Sequence, residues 1–328
     1  MTKNISLSLA CGHYEIVRPL IEGDVKADGI DLTILTDMDS ATRHWRFLRN
    51  NEFDVAEVSA SSYLAARDNG LPFRAIPVFL HRRFRHGFMF INTGKGIKKP
   101  SDLKGRKVGV KTLMTTAVLW MRGILQSEYG VPLKSIEWFS ELDDDVDVSL
   151  PADLKLTRLP HDKSVEAMLA DGEIDALFHS DLIKPFLAGD PRVARLFPDY
   201  KAEEIAWYDK TGVFPIMHVM GLRQSIVEQH PWVALNLFTA LNEAKAIAMK
   251  RMANPRVVPL AWYREAWEEQ EKILGTDPWE YGLGARNRKN LETLIGYSHD
   301  QGLIGKKPAL EELFLDVSQG RKRGDFRI

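Results

Sequence analysis

Residues 105–125 read GRKVGVKTLMTTAVLWMRGIL, and the fold class turns on this stretch. Lys107–Val110 is a short apolar, β-branched run that predicts a strand. Lys111–Met114 is the turn after it. Thr115 or Thr116 is placed to cap a following helix, whose apolar positions Val118, Leu119, Met121, Ile124 and Leu125 recur at helical spacing. Such a turn leaves backbone N–H groups and the positive end of a helix dipole at the carboxyl edge of a sheet, where open α/β sheets bind anions. An ordinary βα unit of a core carries the same pattern.

The units on either side repeat this logic. Upstream, Ile5–Ala10, Ile30–Leu35, Phe53–Glu57 and Phe73–Phe79 read as strands. Helices are expected up to Ile21, over Ser40–Asn50, and up to Asp68 after the turn Ser59–Tyr63. His86–Ile91 is a further strand, and Ile97–Lys104 is a polar approach to a new domain. Downstream, Ile136–Trp138 and Ile174–Phe178 are strands and Lys163–Asp171 is a helix. Asp143–Asp153 is acidic and irregular, a surface loop. Val213–Leu222 is a long apolar run carrying one histidine, and the pattern from Ser225 is helical over Ser225–Met252, Pro259–Leu274 and Arg286–Gln301. Strands alternating with helices of this length imply right-handed βαβ units and mostly parallel sheets.

The chain has 328 residues, which favours two domains. Its 44 basic and 45 acidic residues give a net charge of −1. That balance offers no electrostatic case for nucleic acid or an anionic membrane as partner. The basic stretch Arg321–Ile328 reads as a solvated tail. The single Cys11 excludes an internal disulfide and any multi-cysteine zinc site, and a buried small hydrophobe is its expected role. The start, MTKNISLSLACGHYE, does not read as a signal peptide, and no run of about 18 apolar residues occurs. A cytoplasmic protein is the expectation.

The order of elements is α/β half, crossing strand, second α/β half, returning strand, helical tail. That is the organisation of a two-lobed type II periplasmic-binding-protein-like fold. Lobe 1 is expected over 1–90 plus 220–328 and lobe 2 over 92–214. Hinge crossings are expected near 88–93 and 215–222, with a ligand between the lobes.

FDVAEVSASSYL (53–64), FRHGFMFIN (84–92), VGVKTLMTTAVLWMRGIL (108–125), DGEIDALF (171–178), GVFPIMHVM (212–220) and HPWVALNLF (230–238) occur in this order through nearly the whole chain. LFPD (196–199) and YGLGARNR (281–288) extend the series. Together they resemble the 4,5-dihydroxyphthalate decarboxylase family, from which the acidic insert ELDDDVDVSL (141–150) departs. The resemblance implies loss of CO2 from a dihydroxylated aromatic dicarboxylate, giving 3,4-dihydroxybenzoate. Direct C–C cleavage would leave an unstable aryl anion. Protonating the ring carbon, while a base takes the proton of the para hydroxyl, gives a dienone-like intermediate that can lose CO2 without a redox cofactor. Such a route needs a clamp for carboxylates, an acid and a base.

For the clamp, Ser61, Ser62, Thr115 and Thr116 are the candidates; plain N-capping is the competing reading and can coexist with anion binding. Arg85 is the bidentate carboxylate partner, with Arg82 and Arg83 competing for the role. For acid and base the candidates are His86, His179 and His218, since histidine titrates near neutral pH. Glu57 closes a strand beside the serine turn and could orient a histidine or take a phenolic proton. His13 follows the first strand as a further contact. Arg85 and His86, adjacent on an expected strand, should point to opposite faces. His44, His81, His161, His230 and His299 are expected to be structural or exposed.

No cofactor is expected. Glu57 with three histidines could satisfy a divalent metal, but there is no HExxH motif, and neither GxGxxG, a Walker A sequence nor GxSxG is present. The expected partner is a small aromatic carboxylate, and the apolar faces of the tail helices are compatible with a homo-oligomer. A solute-binding protein or ligand sensor, closing on an anion without chemistry, is the alternative function; fold alone does not separate the two.

Overall fold

A computed structural model describes residues 3–317; the basic stretch Arg321–Ile328 lies outside them. The strands are β1 (Ile5–Ala10), β2 (Ile30–Leu35), β3 (Val55–Ser59), β4 (Phe73–Ile76), β5 (Met89–Asn92), β6 (Lys107–Val110), β7 (Glu137–Ser140), β8 (Leu156–Arg158), β9 (Ala176–Phe178), β10 (Val193–Arg195) and β11 (His218–Arg223). The chain divides into two compact units. Among the described residues, unit 1 holds 3–82, His218–Leu291 and 308–317; unit 2 holds Arg83–Met217 and Glu292–Lys307.

Unit 1 is built on a five-stranded sheet in the order β2-β1-β3-β11-β4. β1 runs parallel to β2 and β3, whereas β11 runs antiparallel to β3 and β4. Its core joins Leu7, Leu9, Val55, Ile76, Met220 and Leu222 of the sheet to Leu237, Leu241 and Ala244 of the helix Val233–Met252. Unit 2 has a six-stranded sheet, β10-β5-β9-β6-β7-β8, in which β6 is parallel to β7 and β9 while β5 is antiparallel to β9 and β10. The sheets are therefore mixed. In both, the βαβ part is parallel, and antiparallel pairs come from strands joined in other ways.

Several expected elements have different ends. The first helix shrinks to Arg18–Ile21. The helix after β3 begins at Ala60, so Ser61 and Ser62 lie in its first turn rather than in a loop. His86–Phe88 is a short 3-10 turn and the strand starts only at Met89. The expected helix Ser225–Met252 is broken into Gln224–Gln229 and Val233–Met252 around His230 and Pro231, because proline supplies no N–H for a helix interior. Within the acidic segment, Asp144 and Val146 are buried, so it is not wholly a solvated loop.

Candidate active site

Glu57 lies in β3, is fully buried, and its carboxylate accepts four hydrogen bonds. Oε1 accepts from Nδ1 of His218 at 2.6 Å and from the Tyr14 hydroxyl at 2.8 Å. Oε2 accepts from the Gly12 N–H and from Nη2 of Arg43, each at 2.8 Å. A buried carboxylate is an acceptor only, so the shared proton of the first contact sits on Nδ1. Nε2 is then the ring nitrogen of His218 available for proton exchange.

Each partner has a sequence reason to be there. His218 opens β11 and Glu57 sits in β3, which pair antiparallel. Arg43 and His44 fall on the same face of the helix Ser40–Leu48 as Phe47 and Leu48, and all four are buried. Tyr14 follows β1 through Gly12, where a Cβ would come within 2.6 Å of the Tyr14 ring. Glycine at that position lets the phenol fold back onto Glu57.

Burial pushes the Glu57 carboxyl upward, but His218, Arg43 and the Gly12 N–H together outweigh it and hold it well below the usual range. The same burial, reinforced by the Glu57 charge, pushes the Tyr14 phenol up and the Cys11 thiol up to about 12. Cys11 is fully buried.

Two further imidazoles complete the cluster. His44 and His81 each place their ring 4.9 Å from the His218 ring, both edge-on. Burial first, then His218 and Arg43, holds His44 well below the ordinary histidine value. His44 is buried and His81 half-buried, and neither is among the candidate site residues read from the sequence. For His44 the signal was its place on the apolar face of its helix. Among the described residues, no group of three or more His, Cys, Asp and Glu side chains is placed to hold a metal ion.

The other candidates fall as follows. In unit 1, Ser61 and Ser62 are buried at the start of the helix after β3, with Ser61 Oγ 3.2 Å from Ser59 Oγ. Ser59 lies directly opposite His218 in the β3–β11 register, which puts this helix start beside the histidine. His13 is exposed on the loop after β1.

In unit 2, Arg85 is buried and donates to the Ser180 carbonyl at 2.8 Å; burial lowers its guanidinium to about 9. His86 is buried among Phe197, Trp207 and Tyr129, and burial lowers it to about 4. The Glu204 carboxylate accepts from the Gly87 N–H of that turn at 3.1 Å. Nδ1 of His179 accepts from the Asp181 N–H at 3.1 Å. Arg85 and His86 do not alternate along a strand, because a 3-10 turn starts between them.

Thr115 holds the N-cap position of the helix Thr116–Ser127 without capping it; its hydroxyl pairs with Thr112 Oγ1 at 2.6 Å. Thr116 is buried. A carboxylate from the acidic segment serves the turn instead, since Asp144 Oδ1 accepts from the Met114 N–H at 2.9 Å.

The model of a family described as ABC transporter, phosphonate, periplasmic substrate-binding protein matches residues 26–194. A protein named 4,5-dihydroxyphthalate decarboxylase from Comamonas testosteroni is 34% identical over 323 residues, covering 96% of this chain and 97% of the relative. One of the same name from Pseudomonas putida is 33% identical over 211 residues, 62% of this chain and 81% of the relative. Among solved structures, the alkanesulfonate-binding protein SsuA from Xanthomonas axonopodis pv. citri bound to MOPS aligns with a TM-score of 0.56 at 12% identity, covering 96% of this chain and 99% of that one. The chain has the α/β fold of the periplasmic solute-binding proteins, and by its likeness to the Comamonas testosteroni protein it belongs to the 4,5-dihydroxyphthalate decarboxylase family.

Proposed function

We propose that this protein is a carboxy-lyase that removes CO2 from a dihydroxylated aromatic dicarboxylate, converting 4,5-dihydroxyphthalate to 3,4-dihydroxybenzoate. The observation that carries this reading is the buried Glu57 carboxylate bonded to Nδ1 of His218. The names of its relatives supply the substrate class. In this scheme the His218 imidazolium gives its Nε2 proton to the ring carbon that bears the departing carboxylate. The hydroxyl para to that carbon gives its proton to a water molecule as the ring becomes a dienone. The bond to the carboxylate then breaks, its electron pair rearomatises the ring, and the phenolate regains a proton. The net change is one aryl carboxylate plus one proton giving one aryl C–H and CO2. Glu57 stays ionised throughout and stabilises the imidazolium. The start of the helix Ala60–Asp68, with Ser61 and Ser62, offers its positive end to a carboxylate of the ligand. The scheme draws on no redox cofactor and no metal.

The match to a periplasmic substrate-binding family supports a second reading, ligand capture without chemistry. One experiment separates them. EDTA-treated protein is incubated with 4,5-dihydroxyphthalate, and CO2 and 3,4-dihydroxybenzoate are measured. Turnover that falls ~100-fold or more in His218→Gln supports the enzyme. Thermal stabilisation by the dicarboxylate with no CO2 supports the binding protein. Turnover that returns only with an added divalent ion overturns the metal-free scheme.

A further inference from the structure

The decarboxylation proposed above consumes one proton per turnover, so whichever group protonates the ring must be reloaded from water. His218 is poorly placed to do this alone, since only 8% of its surface is exposed. Glu57 is on its Nδ1 side. The Tyr14 phenol, from the loop after β1, shares the same Glu57 oxygen. Arg43 is committed to the other oxygen, and Cys11 and Tyr281 complete the surround of that carboxylate as neutral groups whose burial opposes ionisation. Two imidazoles remain in contact with the His218 ring, and they differ in one respect. His44 is buried at 5% exposure, on the core face of its helix. His81 is half-buried, on the irregular segment after β4, with its ring 4.9 Å from His218 and 6.2 Å from Tyr14.

We propose that His81 is the relay through which His218 regains its proton from solvent. The three rings thus form a graded series of exposure, from buried His44 and His218 to half-buried His81. His44 is held neutral by burial beside Arg43 and serves as a wall; a second positive charge on it would face both Arg43 and the His218 imidazolium. His81 takes a proton from water and delivers it to Nε2 of His218, directly or through one water, after each CO2 has left. This role rests on the decarboxylase reading, and two measurements keep their failures apart.

The first is kinetic. His81→Ala should lower kcat by at least ~10-fold with KM changed less than ~2-fold. Added imidazole should restore most of the rate, and the variant's rate should rise with buffer concentration where the wild type's does not. An unchanged kcat, or a loss that neither imidazole nor buffer relieves in a protein of unaltered circular dichroism, overturns the relay. The second needs no turnover. In protein labelled with 15N-histidine, the ring signals of His218 should move along the titration curve of His81 and lose that shared component in His81→Gln. Independent curves overturn the relay, even if the wild type proves to be a decarboxylase. Shared curves in a protein without turnover support the proton path and reject only the substrate reading.

Discussion

Glu57 and His218 are diagonal neighbours across the β3–β11 pair. Met220 stands directly opposite Glu57, His218 is two residues further along the same face, and the two side chains still meet at 2.6 Å. A diagonal pair in a sheet is normally ~7–8 Å apart at the backbone, within reach of long side chains only. Glutamate and histidine are long enough, and the contact fixes the histidine tautomer.

Glu57→Gln keeps the shape and removes the charge. The amide can still accept from Nδ1 but no longer stabilises an imidazolium, and Arg43 loses its buried counter-ion. We expect kcat to fall ~100-fold or more. Breaking a buried ion pair from one side should also cost about 3–5 kcal/mol of stability. Steady-state decarboxylation and urea unfolding check the two effects, and normal activity in the variant would remove Glu57 from the mechanism.

Tyr14→Phe takes one of four donors from the same carboxylate and leaves the ring in place. The expected loss is about 1.5–3 kcal/mol, the usual net worth of a hydrogen bond to a charged group. Urea unfolding of the two proteins, side by side, gives the number. A much larger loss would mean that the phenol also holds the loop around Gly12.

Stability should fall on acidification in two stages. His44 has an ordinary value of 6.5 and lies well below it in the folded protein. Below about pH 6.5 the unfolded chain therefore binds a proton that the folded one does not, and stability drops as the pH falls. His86 acts in the same direction between 6.5 and about 4. Glu57, depressed from 4.5, adds its share as the pH falls below that value. Unfolding midpoints from pH 8 to pH 4 should show a slope that His44→Gln and His86→Gln each reduce. A flat profile in Glu204→Gln, which lacks the opposing contribution of that carboxyl, would contradict the burial of both rings.

Glu204 should act with the opposite sign. Burial raises its carboxyl from 4.5 to about 7, against the Gly87 N–H and Arg85 that favour ionisation. The folded protein keeps that proton longer than the unfolded chain, so this contribution is present below pH 4.5 and is lost as the pH rises towards 7. Glu204→Gln should flatten this part of the profile. An unaltered profile would show the carboxyl to be ionised throughout.

Gly123→Ala sets two magnitudes against each other. In a helix interior alanine is favoured over glycine by about 1 kcal/mol. Here the added Cβ would overlap the Tyr297 ring, which is tethered through its hydroxyl to Ser127 Oγ at 2.8 Å. Overpacking typically costs 1–3 kcal/mol, so the variant should be less stable than the wild type. Combining it with Tyr297→Ala should recover the alanine advantage, and additive effects in the double variant would refute the clash.

What could be read from the sequence follows from how far apart the contacts are. β1, β2 and β6 have the ends that their short apolar or alternating runs indicate, because strand periodicity is local. Glu57 and His218 stand out separately as residues of interest, but their hydrogen bond spans 161 positions and depends on β11 entering between β3 and β4. No local pattern encodes that insertion. Arg43 and His44 pass for solvated residues by type and become core residues only by position, in step with Phe47 and Leu48. Asp144 misleads in the same way. A run of acidic residues reads as a wet surface, yet one carboxylate has a backbone N–H to satisfy and is buried for that purpose.

The place of β11 also bears on how the chain is made. It lies between β3 and β4 in the sheet but leaves the ribosome after all of residues 83–217. During translation the first 82 residues therefore wait, with the facing edges of β3 and β4 unpaired and Glu57 without its histidine. Open strand edges are the surfaces on which nascent chains stick to one another. A chain stalled before His218 carries that hazard in full, and it is relieved once six more residues, His218–Arg223, have emerged to pair with both edges.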